Sequence, residues 1–215
     1  MKIRADFVTN SSSSSYTVVR LKSPSLQEWL KTKKASIGDL EDELEQVMSE
    51  DDEMGMELLE SFKSVSDIIL TLLGVRDERL QEEKECLMDE ADDLLQDETD
   101  ESDELDEPDE LDEIDNEIEH HKEIREYVEE NREKINQDSS AVIRYAVTFE
   151  GGLPEIYALN VDKMGAHMST YDLEDLSEEA MGEIEEEYGE ISSEAGDWTD
   201  GMLEAVIQKM DQADE

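Results

Sequence analysis

Between Asp89 and Glu119 the chain places 19 acidic residues in 31 positions, with no lysine or arginine among them. No feature restricts the fold more. Burying an unpaired carboxylate costs several kcal/mol, so this tract has to stay in water or meet cations from elsewhere. Like charges three and four residues apart also cost a helix about 0.2–0.5 kcal/mol per pair. The tract therefore reads as an extension from a folded body, not as part of its core. Its charge is the extreme of a general trend. The 215 residues include 64 acids against 18 bases, a net charge of −46. Such a charge opposes compaction and repels phosphates, which argues against direct binding to nucleic acid or to an anionic membrane. The natural partners are cationic: metal ions, or proteins with basic grooves.

The charge is uneven. Residues 1–34 hold seven bases (Lys2, Arg4, Arg20, Lys22, Lys31, Lys33, Lys34) and two acids (Asp6, Glu28). This basic segment could dock on the acidic tract and hold the protein closed until a partner competes. A single cysteine, Cys86, permits no internal disulfide and fits a reducing cytoplasm. The N-terminus shows no apolar signal region, and no apolar stretch is long enough to span a bilayer.

Periodicity divides the chain. Ile3–Val8 and Tyr16–Leu21 are short β-branched runs that predict strands around the polar loop Ser11–Ser15. Ser23-Pro24 marks a helix start that buries Leu26, Trp29 and Leu30. Ile37, Leu40, Leu44 and Val47 predict a second helix. From Met56 to Leu73 one broad apolar face runs at helical spacing and thins toward Leu95. Leu73, Leu80, Leu87 and Leu94 recur every seven residues, as in a coiled-coil seam. Asp100–Ile114 is the repeat DES-DEL-DEP-DEL-DEI, in which Pro108 interrupts a helix. Helical spacing resumes at Leu111, Ile114, Ile118, His121, Arg125, Val128 and Ile135. The pattern predicts an antiparallel helical hairpin, with one arm over 56–97, the other over 109–136 and an acidic tip at 98–108.

The last third changes character. AVIRYAVTF (141–149) is the strongest strand in the chain, Gly151-Gly152 turns it back, and 155–161 returns. A further strand falls at 168–173, followed by helices at 174–188 and 198–212. The expected fold is α+β: a small antiparallel sheet made from both chain ends, packed helices, and a long inserted acidic hairpin. The segments are 1–55, 56–137 and 138–215.

The opening MKIRADFVTNSSSSSY resembles an N-terminal signature of many small uncharacterised bacterial and phage proteins. That signature has a basic start, Phe-Val-Ser/Thr-Asn, a serine run and an aromatic residue. Tyr16 stands here where phenylalanine is commoner. The resemblance covers about 16 residues. It implies a bacterial or phage origin and a shared structural device, and it transfers no catalytic residue.

No chemical motif emerges. Asp97, Asp100, Asp103 and Asp106 offer oxygens at three-residue spacing, but a calcium loop needs a central glycine and this tract has none. Glu117–His121 holds one Glu-x-x-His, and a di-iron site requires two. These histidines read as surface and seam residues. Walker, Gly-x-Gly-x-x-Gly, nucleophile-elbow and zinc spacings are absent. Cys86 falls on the apolar side of the helical pattern. Trp29 and Trp198 read as core. The sequence thus predicts no enzyme, no cofactor and no metal site.

What remains is the acidic tract. As one helix it would be about 46 Å long and carry about one charge per 2.4 Å; duplex DNA carries about one per 1.7 Å. Folding it into a hairpin raises the density. The expected function is a nucleic-acid mimic that blocks the basic DNA- or RNA-binding channel of another protein, for example a CRISPR or restriction effector. The binding residues expected are Asp100, Glu101, Asp103, Glu104, Asp106, Glu107, Asp109, Glu110, Asp112 and Glu113. The alternative is a scaffolding protein that dimerises through the leucine seam, with the acids only solvating it.

Overall fold

The structure, a computed structural model, describes residues 14–49, 52–96, 107–148, 153–192 and 195–213. Expectations for Ile3–Val8, for 98–106 of the tip and for Gly151-Gly152 lie outside these residues, whereas Glu107 and Pro108, expected in the tip, begin a helix. Four strands form one antiparallel sheet in the order β1-β2-β3-β4: β1 (Ser14–Lys22), β2 (Ser140–Thr148), β3 (Glu155–Asp162) and β4 (Gly165–Asp172). The sheet joins the two ends of the described chain, and with the helices it makes the expected α+β fold. The serine loop ends sooner than its sequence suggests. Ser14 and Ser15 already belong to β1, opposite Thr148 and Val147.

Alternation along the strands creates two cores. Val19 and Leu21 of β1, Ile143, Tyr145 and Val147 of β2, and Leu159 and Val161 of β3 point to one side. There they meet α1 (Pro24–Thr32), α2 (Ile37–Ser49), α3 (Asp52–Ser61), α4 (Val65–Gln96), α5 (Glu107–Glu130) and α6 (Arg132–Asp138). Tyr16, Val18, Ala146, Ile156 and Ala158 point to the other side, against Trp198, α7 (Glu178–Tyr188) and α8 (Asp200–Ala213). The sheet is therefore sandwiched between helical layers.

Local chemistry sets the helix boundaries. Ser23 takes the N-cap position of α1 with Pro24 in the first turn, but its side chain makes no cap. Instead Ser139 donates to its Oγ at 2.6 Å and ties α1 to the start of β2. Ser36 and Asp39 cap α2 reciprocally: Asp39 Nα donates to Ser36 Oγ, and Ser36 Nα donates to Asp39 Oδ2. The arm expected over 56–97 is broken in two. Phe62 leaves the helix to enter the core, and Ser64 Oγ accepts from the Asp67 amide to start α4 afresh. The return arm breaks likewise at Asn131, whose side chain bonds the Tyr127 carbonyl.

Packing is tight where α3 meets the sheet. A Cβ on Gly55 would stand 2.9 Å from the Tyr145 ring and 3.1 Å from the Met48 carbonyl oxygen. Tyr145 is fully buried and cannot swing away. Gly55→Ala is expected to destabilise the fold by about 1–3 kcal/mol through overpacking, measured by urea denaturation. Gly201→Ala is the control. Its Cβ would meet Tyr188, a 40 % exposed ring with room to move.

Candidate acidic hairpin

Helices α4 and α5 are antiparallel partners, about 48 and 36 Å long. Their base is built into the core. Val65, Ile68, Ile69, Leu72 and Leu73 of α4 and Ile124 and Val128 of α5 are buried with the sheet residues. The last buried side chains before the tip are Leu80 on one arm and Ile114 on the other, among the described residues. The first half of the seam, Leu73 and Leu80, thus faces inward within the chain. Cys86, expected on the apolar side, is exposed, because by its turn the helix has left the core.

Charged residues lock the arms together. His121 of α5 is fully buried. Its Nδ1 lies 2.7 Å from Asp77 Oδ1 of α4. Its Nε2 faces Glu43 Oε2 of α2 at 3.3 Å, an ion-pair contact without hydrogen-bond alignment. Glu117, one turn back, stands 4.0 Å from Nε2. Arg125, one turn on, reaches Asp77 Oδ2 at 2.6 Å. Arg76, next to Asp77, binds Glu117 at 2.9 Å, and nearer the tip Lys84 binds Asp115 at 2.5 Å. Two chains of pairs therefore cross from α4 to α5, and the buried one also reaches α2.

His121 is a seam residue, as its spacing predicts, but it is fully buried and carries an ion network that the spacing alone does not announce. The signal was present: His121 shares its helical face with Ile114 and Val128, and Asp77 lies between Leu73 and Leu80. A polar residue on each of two facing apolar stripes is the pattern of a buried pair. Burial by itself pulls the imidazolium pKa down, but Glu43 and Asp77 outweigh it, and the net direction is up from 6.5. The sign of the linkage follows. The folded pKa exceeds the unfolded one, so the stabilisation is complete below pH 6.5 and fades as pH rises through the folded value. Carboxylates stay ionised over that range, and comparison with His121→Gln separates this histidine from the other groups that titrate there. The melting temperature is expected to fall as pH rises above 6.5 toward 9, and the fall should be absent in His121→Gln. An equal slope in both proteins would contradict this assignment.

The expected binding residues divide into three groups. Asp100, Glu101, Asp103, Glu104 and Asp106 lie outside the described residues. Glu107, Asp109 and Glu110 fall in the opening turns of α5, where the backbone is described. Asp112 and Glu113 are exposed. Acids outside the expected binding set join them: Glu78, Glu82, Glu83, Glu85 and Asp89 are exposed along α4. Meanwhile Arg76, Lys84, Lys122 and Arg125 are all engaged in pairs with acids of the arms. The exposed surface of the arms therefore carries many more carboxylates than cations among the described residues. Among the described residues, a base of the basic N-terminal segment meets an acid of the hairpin at Lys33–Glu123, 2.9 Å apart and closer to the base than to the tip.

Among the described residues, no group of three or more His, Cys, Asp or Glu could hold a metal ion. No described helix is long and apolar enough to cross a membrane. Comparison with protein-family models, with curated proteins and with solved structures gives no match.

Proposed function

We propose that this protein binds a basic nucleic-acid channel on another protein and blocks it with the acidic hairpin. One observation carries the reading: the arms are clamped by a buried ion network while their outward acids are left exposed. The clamped arms fix the spacing of the acids they carry, Glu78, Glu82, Glu83, Glu85, Asp112 and Glu113, before binding, so little ordering of these is needed when the partner arrives. Carboxylates take the place of phosphates against lysine and arginine. Electrostatic steering makes association fast and strongly salt-dependent. Bacterial immune nucleases, restriction or CRISPR effectors, are the first targets to try, followed by polymerases and nucleoid proteins. The scaffolding alternative through Leu73, Leu80, Leu87 and Leu94 draws no support from Leu73 and Leu80, which lie in the chain's own core.

Affinity capture tests the proposal. The intact protein is used as bait in a bacterial lysate, bound material is eluted along a salt gradient, and the fractions are identified by mass spectrometry. One dominant nucleic-acid-binding protein eluting at a defined salt concentration is the expected result. A diffuse set of basic proteins washing off at modest salt would overturn it.

A further inference from the structure

The two edges of the sheet are treated differently. The outer edge of β1 is closed. The Val19 and Leu21 amides donate to Glu45 Oε1 at 2.9 Å and Glu41 Oε1 at 2.5 Å, two carboxylates one turn apart on α2. The outer edge of β4 has no such cover among the described residues. None of its eight residues is buried, and no described strand pairs beyond it. In a chain so rich in charge, Gly165–Tyr171 contains no Asp, Glu, Lys or Arg. Soluble proteins usually protect an exposed edge with such charges, a proline or a bulge. Met164 is 85 % exposed and Met168 is 37 % exposed, so two large apolar side chains sit at this edge.

The geometry points to a second copy of this chain as the occupant, paired antiparallel through β4 into one eight-stranded sheet. The two-residue turn closes on Asp162 and Gly165, which makes that the hydrogen-bonded pair of the hairpin. Alternation along the ladder then turns the amides and carbonyls of Ala166, Met168 and Thr170 outward. A two-fold axis through Met168 sets Ala166 of one copy against Thr170 of the other. It stacks the two Met168 side chains on the same face. It also brings Met164, and with it Lys163, to the Asp172 end of the other copy, which offers a cation to a carboxylate at each end. A surface that is its own complement needs no other partner. The large net negative charge opposes the pairing, so the dimer tightens as salt screens the repulsion. Binding to a basic channel has the opposite salt dependence, so failure of one reading leaves the other standing.

Sedimentation velocity on the full chain at low and high salt is the test. The expected result is a monomer–dimer equilibrium whose dimer share rises with salt. Met168→Lys places two cations on the axis and should weaken association about tenfold or more, which is about 1.4 kcal/mol, with an unchanged melting temperature. In a Cys86→Ser background, Met168→Cys should form an intermolecular disulfide well ahead of Glu186→Cys, since its Cα atoms meet within bonding range. A monomer at every salt concentration, a dimer that weakens with salt, a dimer that survives Met168→Lys, or cross-linking no faster than at Glu186 would each overturn the proposal.

Discussion

Replacing Asp77 by alanine is expected to remove about 3–5 kcal/mol of stability, the range for breaking a buried ion pair by deleting one partner. The residue is 4 % exposed, and its carboxylate holds the His121 ring and the Arg125 guanidinium. Without it both stay near the base of the hairpin with no charge between them, and α4 and α5 lose the link that also touches α2 through Glu43. Asp77→Asn keeps the shape and one acceptor, so it should fall between the parent and the alanine variant. Hydrogen exchange should place the loss on α4 and α5 and leave β2 and β3 protected. Lys84→Ala is the surface comparison. Its pair with Asp115 is well exposed and is worth about 0–1 kcal/mol. If Asp77→Ala cost no more than Lys84→Ala in urea denaturation, the network would not be what clamps the arms.

Reversing Asp109, Glu110, Asp112 and Glu113 to lysine is expected to abolish capture of the basic partner while the fold survives. Placing like charges against each other at an interface costs several kcal/mol, and 1.4 kcal/mol is a factor of ten, so the loss should be at least about 100-fold. Asp112 and Glu113 are exposed and outside both cores, so folding does not depend on their sign. The control is the same fourfold reversal at Glu174, Glu186, Glu187 and Glu190, all exposed in the opposite helical layer. It changes net charge equally and should leave capture nearly intact. Equal losses in the two variants would mean that bulk charge, not the hairpin, drives association.

The sequence foretold the sheet because its strands are alternating and bounded. The apolar run from Ala141 and the return at Glu155 lie where the pattern placed them, and the strand expected over 168–173 begins three residues earlier, at Gly165, and ends at Asp172. The hairpin was legible for the same reason at period 3.6. Its interruptions were not. Apolar periodicity passes through Phe62 without a break, and the signal that restarts the helix is a serine three residues before Asp67. Nor was the closed edge of β1 visible. Glu41 and Glu45 look like ordinary solvated residues of α2 until tertiary packing sets them along a strand. The buried His121 cluster draws on α2, α4 and α5, and no local pattern reports that the three meet. Isolated polar residues inside apolar stripes were the available clue, and they become informative only when two stripes are read against each other.

The claim that the hairpin occupies a phosphate channel is tested most directly by competition on the captured partner. A fluorescent nucleic-acid duplex is bound to that partner, and its anisotropy is followed as this protein is added. The account predicts that the duplex is released completely, that its apparent affinity falls in proportion to the protein added, and that no complex holds both. A ternary complex in which duplex and protein are bound together would contradict it.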